Sequence, residues 1–225
     1  MSDIRELENE LPVGSLAEML AGEGIEASTS QIELLDRYRQ LLWSWNEKIN
    51  LTRHTTLEKF VSRDVIDSYE LAKLLEPKER VLDVGTGGGV PGVVMAILRP
   101  DLKISLCEST LKKARAVEEM VADLGLKTPV YAIRAEEVLE LSTFDTLVAR
   151  AVAALPKVLT WLRPHWDAVG QLLLIKGPSW TEERAEARHA GLLHGLELRK
   201  AATYLTPRTN AESVILKIWR EGVDE

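Results

Sequence analysis

Two hydrophobic rhythms run along the chain, and they change over near Pro77. Before it, apolar residues recur at steps of three and four. Ile32, Leu35, Tyr38, Leu41, Leu42 and Trp45 form one stripe from Gln31 onward, the pattern of an amphipathic helix. Ser30 and Glu33 have the spacing of a capping box at its start. Thr55 and Glu58 repeat that spacing before a second helix carrying Phe60, Val61, Val65, Ile66 and Tyr69. The polar connector Asn50-Leu51-Thr52-Arg53-His54 separates the two.

After Pro77 short apolar runs alternate with helical stretches. Strands are expected over 80–84, 103–107, 130–133, 143–149 and 171–175. Strands separated by helices need crossover connections, which implies a mostly parallel sheet covered on both faces. The tail differs, because 196–205 and 213–219 both read as strands with only a loop between them, an antiparallel hairpin at one sheet edge. The expected class is therefore α/β, with a seven-stranded, mostly parallel sheet, an antiparallel C-terminal hairpin and an N-terminal helical extension. No repeat or linker divides the chain, so residues 1–225 are expected to form one domain, with 1–76 as the helical extension and 77–225 as the ligand-binding α/β core.

Candidate chemistry begins where the first strand ends. Asp83-Val84 runs into Gly85-Thr86-Gly87-Gly88-Gly89-Val90-Pro91-Gly92, and so many glycines imply a sharp bend that something approaches closely. Pro91 suits the first turn of a following helix, whose positive end would face the bound group. Residues 87–92 also satisfy G-x-G-x-x-G, the dinucleotide fingerprint, but Gly87 stands three residues beyond Val84, and a fingerprint glycine should follow the strand directly. The frame Asp83-x-Gly85-x-Gly87-x-Gly89 fits better. It sets a carboxylate at the strand end, able to accept hydrogen bonds or to offset a sulfonium cation but ill suited to a pyrophosphate.

Glu108 closes the second strand 25 residues after Asp83, where an acid can hold the two ribose hydroxyls of an adenosine or serve as a helix cap. Arg134-Ala135-Glu136-Glu137 follows the third strand, where Ala135 and Glu136 could meet an adenine edge or simply start a helix. Arg150, after Leu147-Val148-Ala149, should face the ligand crevice or pair with Asp83 or Glu108.

These residues together resemble the ribosomal RNA small-subunit methyltransferase G family, also called glucose-inhibited division protein B. The resemblance rests on Trp45-Asn46, Asn50-Leu51-Thr52, Arg63 with Ile66-Asp67-Ser68, and the stretch from Asp83 to Gly92. It continues through Lys112-Lys113, Glu136-Glu137, Phe144-Asp145, Arg150-Ala151 and Lys176-Gly177. It implies a methyltransferase fold, S-adenosyl-L-methionine as cofactor, and N7 of a guanosine in small-subunit (16S) ribosomal RNA as acceptor, in free RNA or in an assembling subunit. By the same resemblance Gly85, Val90, Ala135, Glu136 and Arg150 would contact the cofactor, alongside Asp83, Thr86, Gly87, Gly89 and Glu108 from the reading of the turn. The chain departs from the family pattern at Gly88, where proline is usual, at Asp64, where histidine is common, and at Ala116-Val117, in place of a Phe-Leu pair.

Charge and composition narrow the rest. A net charge of −7 repels a polyanion as a whole, so RNA would need a local basic patch. Lys112, Lys113 and Arg115 on one helix, with Arg53, Arg63 and Lys176 framing the crevice, are the candidates. The six tryptophans offer stacking surface but mostly suit a core. The lone Cys107 excludes an internal disulfide and reads as a buried small hydrophobe. The four histidines lack ligand spacing, so no metal is expected. Without a leader or a membrane-length apolar run, the chain reads as cytoplasmic. Nucleophilic attack by N7 needs no general base, and no catalytic side chain is assigned. A nicotinamide-dependent oxidoreductase and a non-catalytic RNA-binding module of the same fold remain the alternatives.

Overall fold

The computed structural model describes residues 13–207 and 211–222. Positions 1–12 of the expected helical extension, 223–225 of the expected core and 208–210 between the last two strands lie outside the described residues. The chain opens with α1 (Val13–Gly22) and α2 (Thr29–Asn46), then a single turn, α3 (Leu57–Lys59), a π-helix (Phe60–Val65) and α4 (Ile66–Ala72). The α/β part runs β1 (Arg80–Val84), α5 (Gly92–Leu98), β2 (Lys103–Cys107), α6 (Leu111–Asp123), β3 (Val130–Tyr131), α7 (Ala135–Leu141) and β4 (Phe144–Arg150). It continues with α8 (Leu155–Leu162), a 3₁₀ turn (Arg163–Ala168), β5 (Val169–Lys176), α9 (Trp180–His189), β6 (Leu196–Thr206) and β7 (Ala211–Arg220).

The seven strands form one sheet in the order β3-β2-β1-β4-β5-β7-β6. β1 to β5 are parallel, and β7 runs against both β5 and β6. The terminal hairpin is thus inserted second strand first. Successive strand residues point to opposite faces, so Val81, Ile104, Leu106 and Val148 join a core with α1, α2, the π-helix, α4, α5 and α6. Leu82, Cys107, Leu147 and Ala149 join a second core with α7, α8 and α9.

Several expected boundaries are corrected. The capping box of α2 is Ser28 with Gln31, whose backbone and side chain exchange the two bonds, and not Ser30 with Glu33. The second cap is Thr56, accepting from the Lys59 N–H, instead of Thr55. Adjacent hydroxyl residues make a register of one or two positions ambiguous in sequence. The second helix breaks into three pieces, with an i→i−5 bond from Ile66 N–H to Val61 O marking the π turn. β3 stops at Tyr131, having only β2 to pair with, while β4 and β5 run one residue further, to Arg150 and Lys176. Pro91 caps α5 from just outside its start, and its carbonyl accepts from Met95 N–H at 3.0 Å.

Candidate functional site

The turn after β1 is held by its own backbone. Gly85 and Thr86 both donate to the Cys107 carbonyl at 3.0 Å, tying the turn to the end of β2. Gly85, Gly87 and Gly89 take φ of +68°, +61° and +105°, conformations that L side chains rarely adopt. Asp83 is fully buried beneath the turn. Its Oδ2 accepts from the Thr86 hydroxyl at 2.5 Å and the Gly92 N–H at 2.8 Å. It therefore braces the turn from behind instead of facing the cleft. Burial raises its pKa to about 6 against the bonds that Thr86 and Gly92 donate to the ionised form. A side chain at Gly92 would collide with Leu106 and Asp83, so glycine there lets α5 lie directly on the strands.

Glu108 stands at the mouth, 7% exposed. One carboxylate oxygen accepts from Gly87 N–H at 3.1 Å and the other from Thr110 N–H at 2.7 Å. Its ligand and cap roles are thus compatible in one side chain, because each oxygen has a second lone pair. Beside it lies a narrow apolar slot of about 90 Å³ between Cys107, Ile133, Ala135, Ala149, Val158 and Leu162, with Arg134 and Glu136 at its rim. Its lining, mostly apolar with a few polar groups at the edge, is of the kind that small-molecule sites have. The Cys107 thiol is pushed up to about 12 by burial, so it is a neutral wall of this slot and no nucleophile. A second, polar cleft of about 420 Å³ adjoins it, lined by Gly85 to Gly88, Val90, Glu108, Lys113, Arg150 and Ala151.

Arg150 lines that cleft but pairs with neither Asp83 nor Glu108. Its guanidinium spans Asp64 (2.7 Å) and Asp67 (3.1 Å) and donates to the Arg63 carbonyl at 3.1 Å. Both carboxylates are fully buried; His54 Nδ1 also bonds Asp64 at 2.7 Å, and the Tyr204 hydroxyl donates to Asp67 at 2.7 Å. The acids come from the π-helix and α4, elements far from the glycine turn in sequence. Two acids at i, i+3, Asp64 and Asp67, on either side of the apolar pair Val65-Ile66 were the available signal of a buried cation-binding face.

The basic candidates divide. Lys112, Arg115 and Arg53 are exposed, and Lys113 is half-buried against the polar cleft. Arg63 is drawn inward, donating to the Thr206 hydroxyl at 2.7 Å and lying 3.8 Å from Asp67. Lys176 is corrected: it is buried, donating to the Ala153 carbonyl at 2.6 Å and to Glu183 at 2.8 Å, and cannot reach a phosphate without breaking that pair. Of the tryptophans only Trp166 and Trp219 are fully buried, while Trp161 lines both the slot and the cleft.

Sequence reasoning missed what the N-terminal helices contribute. The Tyr38 hydroxyl donates to the Gly88 carbonyl at 2.9 Å, and Leu42, Leu51 and Thr52 line the cleft. At Gly88, where the resemblance implies proline, an added Cβ would stand 2.8 Å from Leu42 Cδ1 and 3.3 Å from Leu51 Cβ, so those side chains would have to shift to admit a ring. Ala116 and Val117 are fully buried on the inner face of α6.

A sheet of this order, with a glycine turn closing its first strand and an acid closing its second, defines a class of protein: an S-adenosylmethionine-dependent methyltransferase. Among solved structures, a putative O-methyltransferase from Klebsiella pneumoniae shares the fold, with a TM-score of 0.57 and 15% identity over 92% of this chain and 96% of that one. The chain belongs to the rRNA small subunit methyltransferase G family, whose model matches residues 31–211. The ribosomal RNA small subunit methyltransferase G of Rhodopirellula baltica is 54% identical over 170 residues, 76% of this chain and 74% of the relative. That of Chromobacterium violaceum is 34% identical over 209 residues, 92% and 98% of the two chains. The nicotinamide and non-catalytic alternatives give way to this assignment.

Proposed function

We propose that the protein methylates N7 of a guanosine in 16S ribosomal RNA, in the cytoplasm, with the cleft between the glycine turn and Arg150 as the place of transfer. The observation that carries this reading is the pairing of an apolar slot with a polar cleft that share Gly85, Ser109, Val152 and Trp161. One site suits an adenosine and the other an incoming base. S-adenosylmethionine supplies an electrophilic methyl group on a sulfonium.

In this reading Glu108 grips the ribose, Ala135 and Glu136 border the adenine, and Gly85, Thr86, Gly87, Gly89 and Val90 form the wall beside the methionine. Asp83 acts through that wall by bracing Thr86 and Gly92. Arg150, held by Asp64 and Asp67, offers the cleft its remaining donor capacity.

The N7 lone pair forms the new N–C bond while the C–S pair returns to sulfur. The positive charge passes from sulfonium to purine and no proton moves. The chain therefore has to align two reactants and exclude water, not to supply a base. Lys113 lines the cleft, and with the exposed Lys112, Arg115 and Arg53 it would meet phosphates. Arg63 is committed to Thr206 and Asp67.

The test is transfer from methyl-tritiated S-adenosylmethionine to small-subunit RNA, as free RNA and as subunit, followed by digestion to nucleosides. Label in 7-methylguanosine is expected. Label in another nucleoside would refute the N7 reading, and no label in either substrate would refute the RNA acceptor.

A further inference from the structure

The segment that follows β4 is held under tension. Ala151 has φ of +53°, a left-handed conformation that costs an alanine energy and persists only where its surroundings enforce it. Just beyond it, β5 and α9 hold the segment. Lys176 Nζ donates to the Ala153 carbonyl at 2.6 Å and to Glu183 Oε2 at 2.8 Å. The same carboxylate oxygen accepts the Leu155 N–H at 2.6 Å, and Ser179 reaches the other oxygen at 3.4 Å. One ion pair thus grips the segment on both sides of Ala154. Lys176 is only 8% exposed, so its ammonium is held largely away from water, while Glu183 stays partly exposed.

The segment is also a wall of the site. Ala151 and Val152 line the polar cleft beside Arg150. Val152 presses on the glycine turn so closely that a Cβ on Gly85 would lie 2.8 Å from its Cγ2. Loosening residues 151–154 changes the shape of the cleft where an acceptor must be aligned, whereas the bonds from Glu108 to Gly87 and Thr110 and from Gly85 and Thr86 to Cys107 do not involve the segment.

We propose that Lys176 and Glu183 are positioning residues: their pair locks residues 151–154 in the strained shape that aligns the acceptor base against the methyl donor. Neither side chain touches the reacting atoms. The inference rests on the methyl-transfer reading above. A pair serving stability alone would move cofactor affinity and turnover together, whereas a positioning pair acts on turnover, since a displacement of about 1 Å can cost on the order of 100-fold in rate.

Lys176→Met keeps the aliphatic stem and removes the donors. The variant should bind S-adenosylmethionine within about threefold of the wild type by calorimetry, while kcat for RNA methylation falls on the order of 100-fold. Adding Ala151→Gly should restore part of the lost kcat, because glycine adopts the left-handed conformation without needing the lock. Amides 152–155 should exchange hydrogen faster in Lys176→Met than in the wild type. If Lys176→Met does not fold, Glu183→Gln carries the same predictions.

Unchanged kcat, a parallel loss of cofactor affinity, no recovery with Ala151→Gly, or unchanged exchange would each overturn the proposal. Failure of the wild type to methylate RNA would instead refute the functional reading, and the exchange measurement would still test the lock.

Discussion

The glycine turn and the pocket behind Arg150 face each other across one cleft, yet they are built in opposite ways. The turn is made within ten residues, Asp83 to Gly92, by backbone bonds, positive φ angles and one buried acid. The Arg150 pocket gathers His54, Arg63, Asp64, Asp67 and Tyr204 from the connector, the π-helix, α4 and β6. A locally made site depends on conformation, and an assembled one on charge compensation. The first should tolerate lost charges and fail on added volume; the second should do the reverse.

The largest effect is expected in the assembled half. Arg150→Met leaves Asp64 and Asp67 buried without their cation, and breaking such a pair costs about 3–5 kcal/mol. Urea denaturation reads this directly, and a loss under about 1 kcal/mol would show that the acids find other partners.

The next effect separates the halves by pH. Asp83 has a folded pKa of about 6 against an ordinary 3.8, so its charge opposes folding above pH 6 and that opposition fades as pH falls towards 3.8. Asp83→Asn abolishes the titration. Its stability relative to the wild type should therefore rise with pH between about 4 and 6, by up to about 3 kcal/mol, and then level off. A difference flat across that window would mean that Asp83 does not titrate there.

A smaller loss is expected at the mouth. Glu108→Ala should weaken S-adenosylmethionine binding by about 1.5–3 kcal/mol, roughly tenfold to a hundredfold, measured by calorimetry. Unchanged affinity would reduce Glu108 to a cap for Thr110 and a tether for Gly87. The smallest effect on the fold belongs to Lys112→Glu with Lys113→Glu, within about 0.5 kcal/mol of wild-type stability. Cofactor binding should be spared while methyl transfer to RNA falls and becomes less salt-sensitive. Equal methylation would mark the pair as ordinary surface.

The same contrast explains what the sequence made legible. The glycine turn, the acid after β2 and the strand interiors could be read because each is contiguous and its pattern has a local cause. The ends of β4 and β5 could not, because Arg150 and Lys176 look like loop residues until their buried partners are known. The burial of Lys176 in an ion pair could not be foreseen because Glu183, only seven positions on, belongs to a different element. The pairing of Asp64 and Asp67 with Arg150 went unread because nothing local relates them to a residue 86 and 83 positions away. The role of Tyr38 and Leu42 in backing the glycine turn was hidden for the same reason: their stripe announces a helix, not what it covers.

The central claim is that this turn and its acid hold a sulfonium methyl donor. Calorimetric titration of the purified protein with S-adenosylmethionine and, separately, with NADH tests it most directly. Saturable one-to-one binding of S-adenosylmethionine with no heat from NADH is the expected result. Binding of NADH in its place, or of neither, would contradict the account.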